Sequence, residues 1–343
     1  MTPPDFSASS SARADLPLAV GPAIMRMLGV EFVVTLISPE KALTPARADD
    51  MARALGTQGV RWIMDGVACD LLLSSPLGGE QTRQALQHAV ESWGVNAPNN
   101  TPHGSAFASG LASPAPPQGG SWDYILQPAA HRRKKLLIAD MESTIITCEC
   151  LDELAELVGI RDKIAAITQR AMNGELNFEE ALRERVGLLK GLPESALQQV
   201  MDEKVRLMQG AKELVSTMKA NGAYCMLVSG GFDFYAEKIA SMLGFDEWRA
   251  NRLEIKNGTL TGNVIEPILN KDAKLQALQE TCAKLDITPQ EALAVGDGAN
   301  DLPMLLAAGL GVAYHAKPNV RAEARHRIDH ADLRALLFAQ GYQ

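Results

Sequence analysis

The chain has 343 residues, 46% of them hydrophobic and 22% charged, with a formal net charge of −8. Those values fit a soluble globular protein of about two domains, and the acidic balance excludes a nucleic-acid partner, which needs a basic face. Apolar runs such as 32–37 are too short to span a membrane. The five cysteines lack C-x-x-C spacing, so reduced thiols in the cytoplasm are expected.

Residues 1–20 are rich in Ser, Pro and Ala and read as a flexible N-terminus without a signal peptide. Residues 21–95 form a small α+β unit. Glu31 to Ser38 reads as a strand, and Thr44-Pro45 opens a helix that runs to Leu55. Val60 to Asp65 and Cys69 to Ser74 make a strand pair around Gly66, and Gly79 to Trp93 has helical spacing. That order is a split βαβ unit with a fourth strand left unplaced, and it resembles the ACT-like regulatory fold by element order alone. Amino-acid binding and homodimerisation through this domain both stay open. Residues 96–121, rich in Asn, Pro and Gly, read as a linker.

From residue 122 onward the pattern is strand alternating with helix, which implies a doubly wound parallel sheet. The run Arg132-Arg133-Lys134-Lys135 reads as a solvated approach to the strand Leu136 to Asp140. A helical cap follows at about 147–210, with helices Leu151–Val158, Arg161–Met172, Phe178–Leu189 and Pro193–Val200, before Lys212–Ala220 returns the chain to the sheet. Tyr224–Val228 and Leu293–Val295 are further strands, and Leu310–Tyr314 is the last. The helices Phe232–Leu243 and Ala273–Leu285 lie between them, with a hairpin turning at Asn257-Gly258.

Chemistry gathers where such strands end. In doubly wound sheets, ligands sit beyond the carboxyl ends of the strands, and Asp140, Ser229 and Asp297 each stand at one. Asp140 and Glu142 are two residues apart, so both carboxylates can face one pocket. Ser229-Gly230-Gly231 leads into a helix and can offer backbone N–H groups to phosphate oxygens. Asp297, Asn300 and Asp301 crowd hard oxygen donors into five residues, which suits Mg²⁺. Together these are the parts for phosphoryl transfer through an aspartyl-phosphate.

The ordered motifs Asp140-Met141-Glu142-Ser143-Thr144, Ser229-Gly230-Gly231-Phe232, Lys274 and Gly296-Asp297-Gly298-Ala299-Asn300-Asp301 resemble those of the haloacid dehalogenase superfamily. Within it they look most like the phosphoserine phosphatase family, and the segment from Leu176 to Val186 is similar to that family's substrate-recognition segment. The resemblance implies a Mg²⁺-dependent phosphatase of phosphoserine, acting in serine biosynthesis. It implies Asp140 as nucleophile, Glu142 as acid–base group, Ser229, Gly230 and Gly231 as phosphate holders, and Lys274 as charge balance. Mg²⁺ would be held by Asp140, the Glu142 carbonyl and Asp297, with Asn300 and Asp301 in support. In the cap, Glu149 would meet the substrate ammonium and Arg185 its carboxylate, with Met172 and Phe178 as shields. Lys271 is the second choice for the catalytic lysine. Glu142 departs from the family's usual second Asp, which shifts the reach of the acid–base group by roughly 1 to 1.5 Å. Two alternatives remain: phosphoryl transfer to homoserine or another alcohol, and a catalytically weakened regulatory binder.

Overall fold

The computed structural model describes residues 31–73, apart from positions 40, 42 and 58, and residues 122–343, apart from 173 and 174. The expected helix at 79–93 and the expected linker at 96–121 lie outside the described residues.

Among the described residues, the first sheet has the order β2-β3-β1-β4. Its strands are β1 (Phe32–Ile37), β2 (Gly59–Met64), β3 (Ala68–Leu73) and β4 (Asp123–Pro128), and all the pairings are antiparallel. Helix α1 (Pro45–Ala54) opens as the Thr-Pro pair predicts: the Thr44 hydroxyl accepts from the Arg47 N–H, and Pro45 sits in the first turn. The strand order is that of a split βαβ sheet. Its fourth strand comes from Asp123–Pro128, a stretch the sequence reading places with the larger unit.

Side chains on this sheet alternate between two buried faces, as the period of two requires. Val34, Leu36, Cys69, Leu71 and Leu126 pack with Ala48 and Met51 of α1. Ile37, Ala68 and Ile125 join the core of the larger unit. Between them, Thr35, Asp70 and Gln127 are buried polar groups that need partners. Arg132 supplies most of these. It donates to Asp70 Oδ2 at 2.7 Å and Oδ1 at 2.6 Å, to Thr35 Oγ1 at 2.9 Å, and to the carbonyls of Ala339 at 2.7 Å and Phe338 at 3.1 Å. Lys134 is likewise buried and donates to the Gln290 carbonyl at 2.8 Å. The basic run is therefore solvated only at Arg133 and Lys135. Two of its four cations are interior groups whose partners come from distant parts of the chain.

Among the described residues, the second sheet has the order β11-β10-β9-β5-β6-β7-β8. It is parallel except for the last pair. Its members are β5 (Leu136–Ala139), β6 (Tyr224–Phe232), β7 (Glu247–Lys256), β8 (Thr259–Ile265), β9 (Ala292–Gly296), β10 (Leu310–Tyr314) and β11 (His326–Ile328). Leu137, Ala139, Leu227 and Val295 face one hydrophobic layer, and Leu136, Ile138, Met226 and Ala294 face the other, so helices cover both sides. The hairpin turns where predicted, with positive φ at Asn257 and Gly258. β6 continues through the glycines to Phe232, and the next helix begins only at Asp233.

Between β5 and β6 stand the cap helices α2 (Cys150–Leu157), α3 (Arg161–Met172), α4 (Phe178–Gly187) and α5 (Ser195–Glu203), followed by α6 (Ala211–Ala220). A capping box opens α4: Asn177 Oδ1 accepts from the Glu180 N–H, and Glu180 accepts from the Asn177 N–H, both at 2.9 Å. The cap rests on the β7–β8 hairpin through backbone bonds of 2.9 Å from Gly191 to Leu260, from Leu260 to Leu192, and from Glu194 to Gly258. The remaining helices are α7 (Asp233–Leu243), α8 (Lys271–Lys284), α9 (Leu302–Ala307), α10 (Pro318–Glu323) and α11 (Ala335–Ala339). No helix among the described residues is long and apolar enough to cross a membrane.

Candidate active site

β5 is central and fully buried, and it delivers Asp140 to the carboxyl edge of the sheet. The Asp140 N–H donates to the Val295 carbonyl at 2.9 Å, which fixes the residue beside the end of β9. Lys274 comes from the first turns of α8, whose N-cap Asn270 accepts from the N–H groups of Asp272 and Ala273. Its side chain is fully buried and donates to Asp140 Oδ1 at 2.7 Å and Asp301 Oδ1 at 2.6 Å. Burial alone would favour the neutral amine, but Asp140 and Asp301 reverse that and hold the ammonium above its ordinary pKa.

The other Asp301 oxygen accepts from the Gly298 N–H at 2.9 Å, so both ends of this carboxylate are used in bracing the loop and Lys274. Asp140, Asp297 and Asp301 each bring a carboxylate oxygen within 4.8 Å of the other two. Burial and the neighbouring Asp301 push Asp140 up to about 8, against the pull of Lys274. Burial pushes Asp297 up to about 6, although Lys317 opposes it. Three buried carboxylates thus share too little positive charge. An all-oxygen donor set of this kind fits a hard divalent cation.

β6 brings Ser229, fully buried, and the two glycines to the same edge. The Gly231 N–H donates to Ser229 Oγ at 2.9 Å. Buried Asn251 on β7 donates to the Gly230 carbonyl at 2.8 Å and accepts from the Leu269 N–H at 2.7 Å, which locks this turn. A Cβ on Gly230 would lie 3.5 Å from Phe178 Cζ and 3.6 Å from Asn300 Nδ2, so cap and core close over this glycine. A Cβ on Gly231 would lie 2.6 Å from Glu142 Oε2, so any side chain here would push the Glu142 carboxyl from its place.

Glu142 is held from the other side by the Cys150 N–H, 2.7 Å from Oε1, at the start of α2. Burial and the neighbouring Glu149 push its carboxyl up to about 8, against that hydrogen bond. Between them Ser143 takes a positive φ of 54°, and its hydroxyl donates to Glu149 Oε1 at 2.8 Å. Arg185 on α4 is partly buried and donates from Nε to the Ala181 carbonyl at 3.2 Å. Burial lowers its pKa, while Asp152, Glu142 and Glu149 act against that. Met172 ends α3, and its side chain lies outside the described residues. Lys271 is merely the first residue of α8.

Three polar residues of the site escape the sequence reading. Asn251 and Asp152 sit inside elements with no motif of their own. Lys317 follows β10 and stands 3.4 Å from Asp297.

A doubly wound sheet with an aspartate, a Ser-Gly-Gly turn, a buried lysine and an acidic loop at its carboxyl edge defines a capped hydrolase of the haloacid dehalogenase class. The chain belongs to that family, the haloacid dehalogenase-like hydrolases, whose model matches residues 137–306. It is 47% identical over 208 residues to the phosphoserine phosphatase of Albidiferax ferrireducens, an alignment that takes in 59% of this chain and 88% of that protein. A solved phospho-aspartyl intermediate analogue of a phosphoserine phosphatase is 40% identical with a TM-score of 0.56, covering 60% of this chain and 98% of that one. A haloacid dehalogenase family hydrolase from Salmonella enterica serovar Typhi reaches a TM-score of 0.73 at 29% identity, covering 90% of this chain and 97% of its own.

Proposed function

We propose that the protein is a phosphoserine phosphatase, hydrolysing L-phosphoserine to L-serine and phosphate at the end of serine biosynthesis. The observation that carries this reading is the fully buried Lys274 joining Asp140 to Asp301 beside Asp297, in a chain 47% identical to a phosphoserine phosphatase. Lys274 holds Asp140 Oδ1, which leaves the second oxygen to attack phosphorus. The carboxyl of Glu142 protonates the departing seryl oxygen and, once ionised, takes a proton from the water that opens the aspartyl-phosphate. Ser229 Oγ and the Gly230 amide hold the phosphoryl oxygens, with Asn300 beside them, while the Gly231 N–H orients the Ser229 hydroxyl by donating to its oxygen.

Glu149 and Arg185 supply opposite charges for the ammonium and carboxylate of an amino acid, and Arg185 can grip a carboxylate through two hydrogen bonds. Phe178, against Gly230, keeps bulk water from the phosphoryl group. Asp140, Asp297 and the Glu142 carbonyl are the proposed Mg²⁺ ligands, with Asp301 bracing Lys274. When bound, Mg²⁺ offsets the charge of the phosphate dianion and polarises its oxygens. We place the enzyme in the cytoplasm, where its five unpaired cysteines stay reduced. We also propose homodimerisation through the N-terminal sheet, where β2 ends the strand order among the described residues.

Phosphate release from L-phosphoserine, set against sugar, nucleotide and glycerol phosphates with and without Mg²⁺, tests the reading. L-Phosphoserine is expected to be turned over fastest, and only with the metal. Equal turnover of a substrate that is not an amino acid would overturn the substrate assignment, and transfer to added homoserine in preference to water would make the protein a phosphotransferase.

A further inference from the structure

After β10 the chain turns through His315, whose φ of 43° lies in the left-handed region. Both sides of this residue are braced: its N–H donates to the Ile328 carbonyl at 2.8 Å, and Nε2 lies 3.0 Å from the Ala331 carbonyl. Two residues on, Lys317 addresses Asp297 twice. Its N–H donates to the Asp297 carbonyl at 3.1 Å, and its ammonium stands 3.4 Å from Asp297 Oδ2. The Lys317 side chain is 59% exposed and the Asp297 side chain 8%, so this cation approaches the acidic cluster from solvent, opposite in character to fully buried Lys274.

The carboxylate partners differ accordingly. Lys274 holds one oxygen of Asp140 and one of Asp301, and the Gly298 N–H takes the other oxygen of Asp301. Asp297 instead has the exposed lysine, which can swing into solvent when another cation takes its place beside the buried carboxylate. Glu149 and Asp140 also lie within its electrostatic reach, so the lysine stays in an acidic field when it moves.

We infer that Lys317 is the cation Asp297 carries in the metal-free protein, and that it competes with the divalent cation for that carboxylate. An ammonium and a divalent ion on one carboxylate repel, so each weakens the other's hold. The inference rests on the metal reading given under the proposed function. Pairing by Lys317 holds the Asp297 side chain in place in the metal-free protein, at the cost of some metal affinity.

The test is Mg²⁺ titration by calorimetry on substrate-free wild type, Lys317→Met and Lys317→Arg. Because the pair is half-exposed, the methionine variant is expected to bind Mg²⁺ about two- to fivefold more tightly than wild type, and the arginine variant to match wild type. Without Mg²⁺ the methionine variant should also melt below wild type, and saturating Mg²⁺ should close that gap. Unchanged or weaker Mg²⁺ binding by Lys317→Met would overturn the inference while leaving the metal reading intact. Failure of the wild type itself to bind Mg²⁺ would remove both.

Discussion

Glu142 stands where the resemblance leads one to expect a second Asp, and its carboxyl is closely held. Oε1 is held by the Cys150 N–H at 2.7 Å, and Oε2 lies 2.6 Å from where a Gly231 Cβ would stand. Shortening it to Glu142→Asp withdraws the carboxyl from the Cys150 N–H and from the space beside Gly231. A misplacement of about 1 Å can cost on the order of 100-fold in rate, so kcat on phosphoserine should fall by about 10- to 100-fold rather than rise. The pH profile carries a second expectation. A carboxyl pushed up to about 8 keeps its proton at neutral pH and loses it above that value. Activity that depends on proton donation should therefore fall as pH rises through about 8. In Glu142→Gln that alkaline limb should vanish along with most of the activity, and a profile identical to wild type would separate Glu142 from the acid role.

At the scale of elements, the strand ends position the site and single side chains lock them. Asn251 ties β7 to both the Ser229–Gly231 turn and the segment entering α8, through Gly230 and Leu269. In Asn251→Ala these buried backbone groups lose their partners, at about 1–3 kcal/mol for each group left unsatisfied. Urea unfolding should register that loss, and KM for phosphoserine should rise because Gly230 is no longer fixed. The same scale explains what the sequence makes legible. Asp140 and Asp297 fall at strand ends because buried apolar runs stop there, Ser229 falls where the apolar run of β6 stops although the strand itself continues to Phe232, and Lys274 falls on a helix that reads plainly. Lys317 and Asn251 were hidden because a lone lysine in a loop and a lone asparagine in a hairpin carry no periodic signal. β4 and β11 carry no such signal either, because only pairing with β1 and β10, distant in sequence, makes them strands. Arg132 and Lys134 were misread because a charge run normally stays in water, whereas here the compensating Asp70 lies 62 residues earlier than Arg132.

For the whole molecule, two thermodynamic couplings follow. Arg132, between the two sheets, pairs with buried Asp70, which also keeps Arg61 at 2.6 Å, so removing Arg132 leaves Asp70 with one cation and costs less than the ~3–5 kcal/mol of a fully broken buried pair. Arg132→Ala should still lower the urea midpoint, because Thr35 and the Phe338 and Ala339 carbonyls lose their donor, and an unchanged midpoint would show that Arg132 does not couple the N-terminal sheet to the rest of the fold. The acidic cluster couples stability to pH. Asp140 and Asp297 are raised from 3.8 to about 8 and about 6, so the metal-free fold binds more protons than the unfolded chain. Their contribution is fully present below pH 3.8 and is lost as pH rises through about 6 to 8. A divalent cation binds the ionised carboxylates and makes up this loss. The gain in Tm on adding Mg²⁺ should thus be larger at pH 8 than at pH 5, and a gain independent of pH would argue against these ligands.

Arg132 also bears on the order in which the chain can complete itself. Asp70 and Thr35 are made before it, so a nascent chain can already seat the guanidinium against its carboxylate and hydroxyl partners. The carbonyls of Phe338 and Ala339 that take its remaining N–H groups arrive 206 and 207 residues later. Until those residues leave the ribosome, water must take the N–H groups that the Phe338 and Ala339 carbonyls later accept. A stalled or clipped chain that lacks them therefore carries its own mark of incompleteness, a buried-type charge facing water at the seam where the catalytic unit should close.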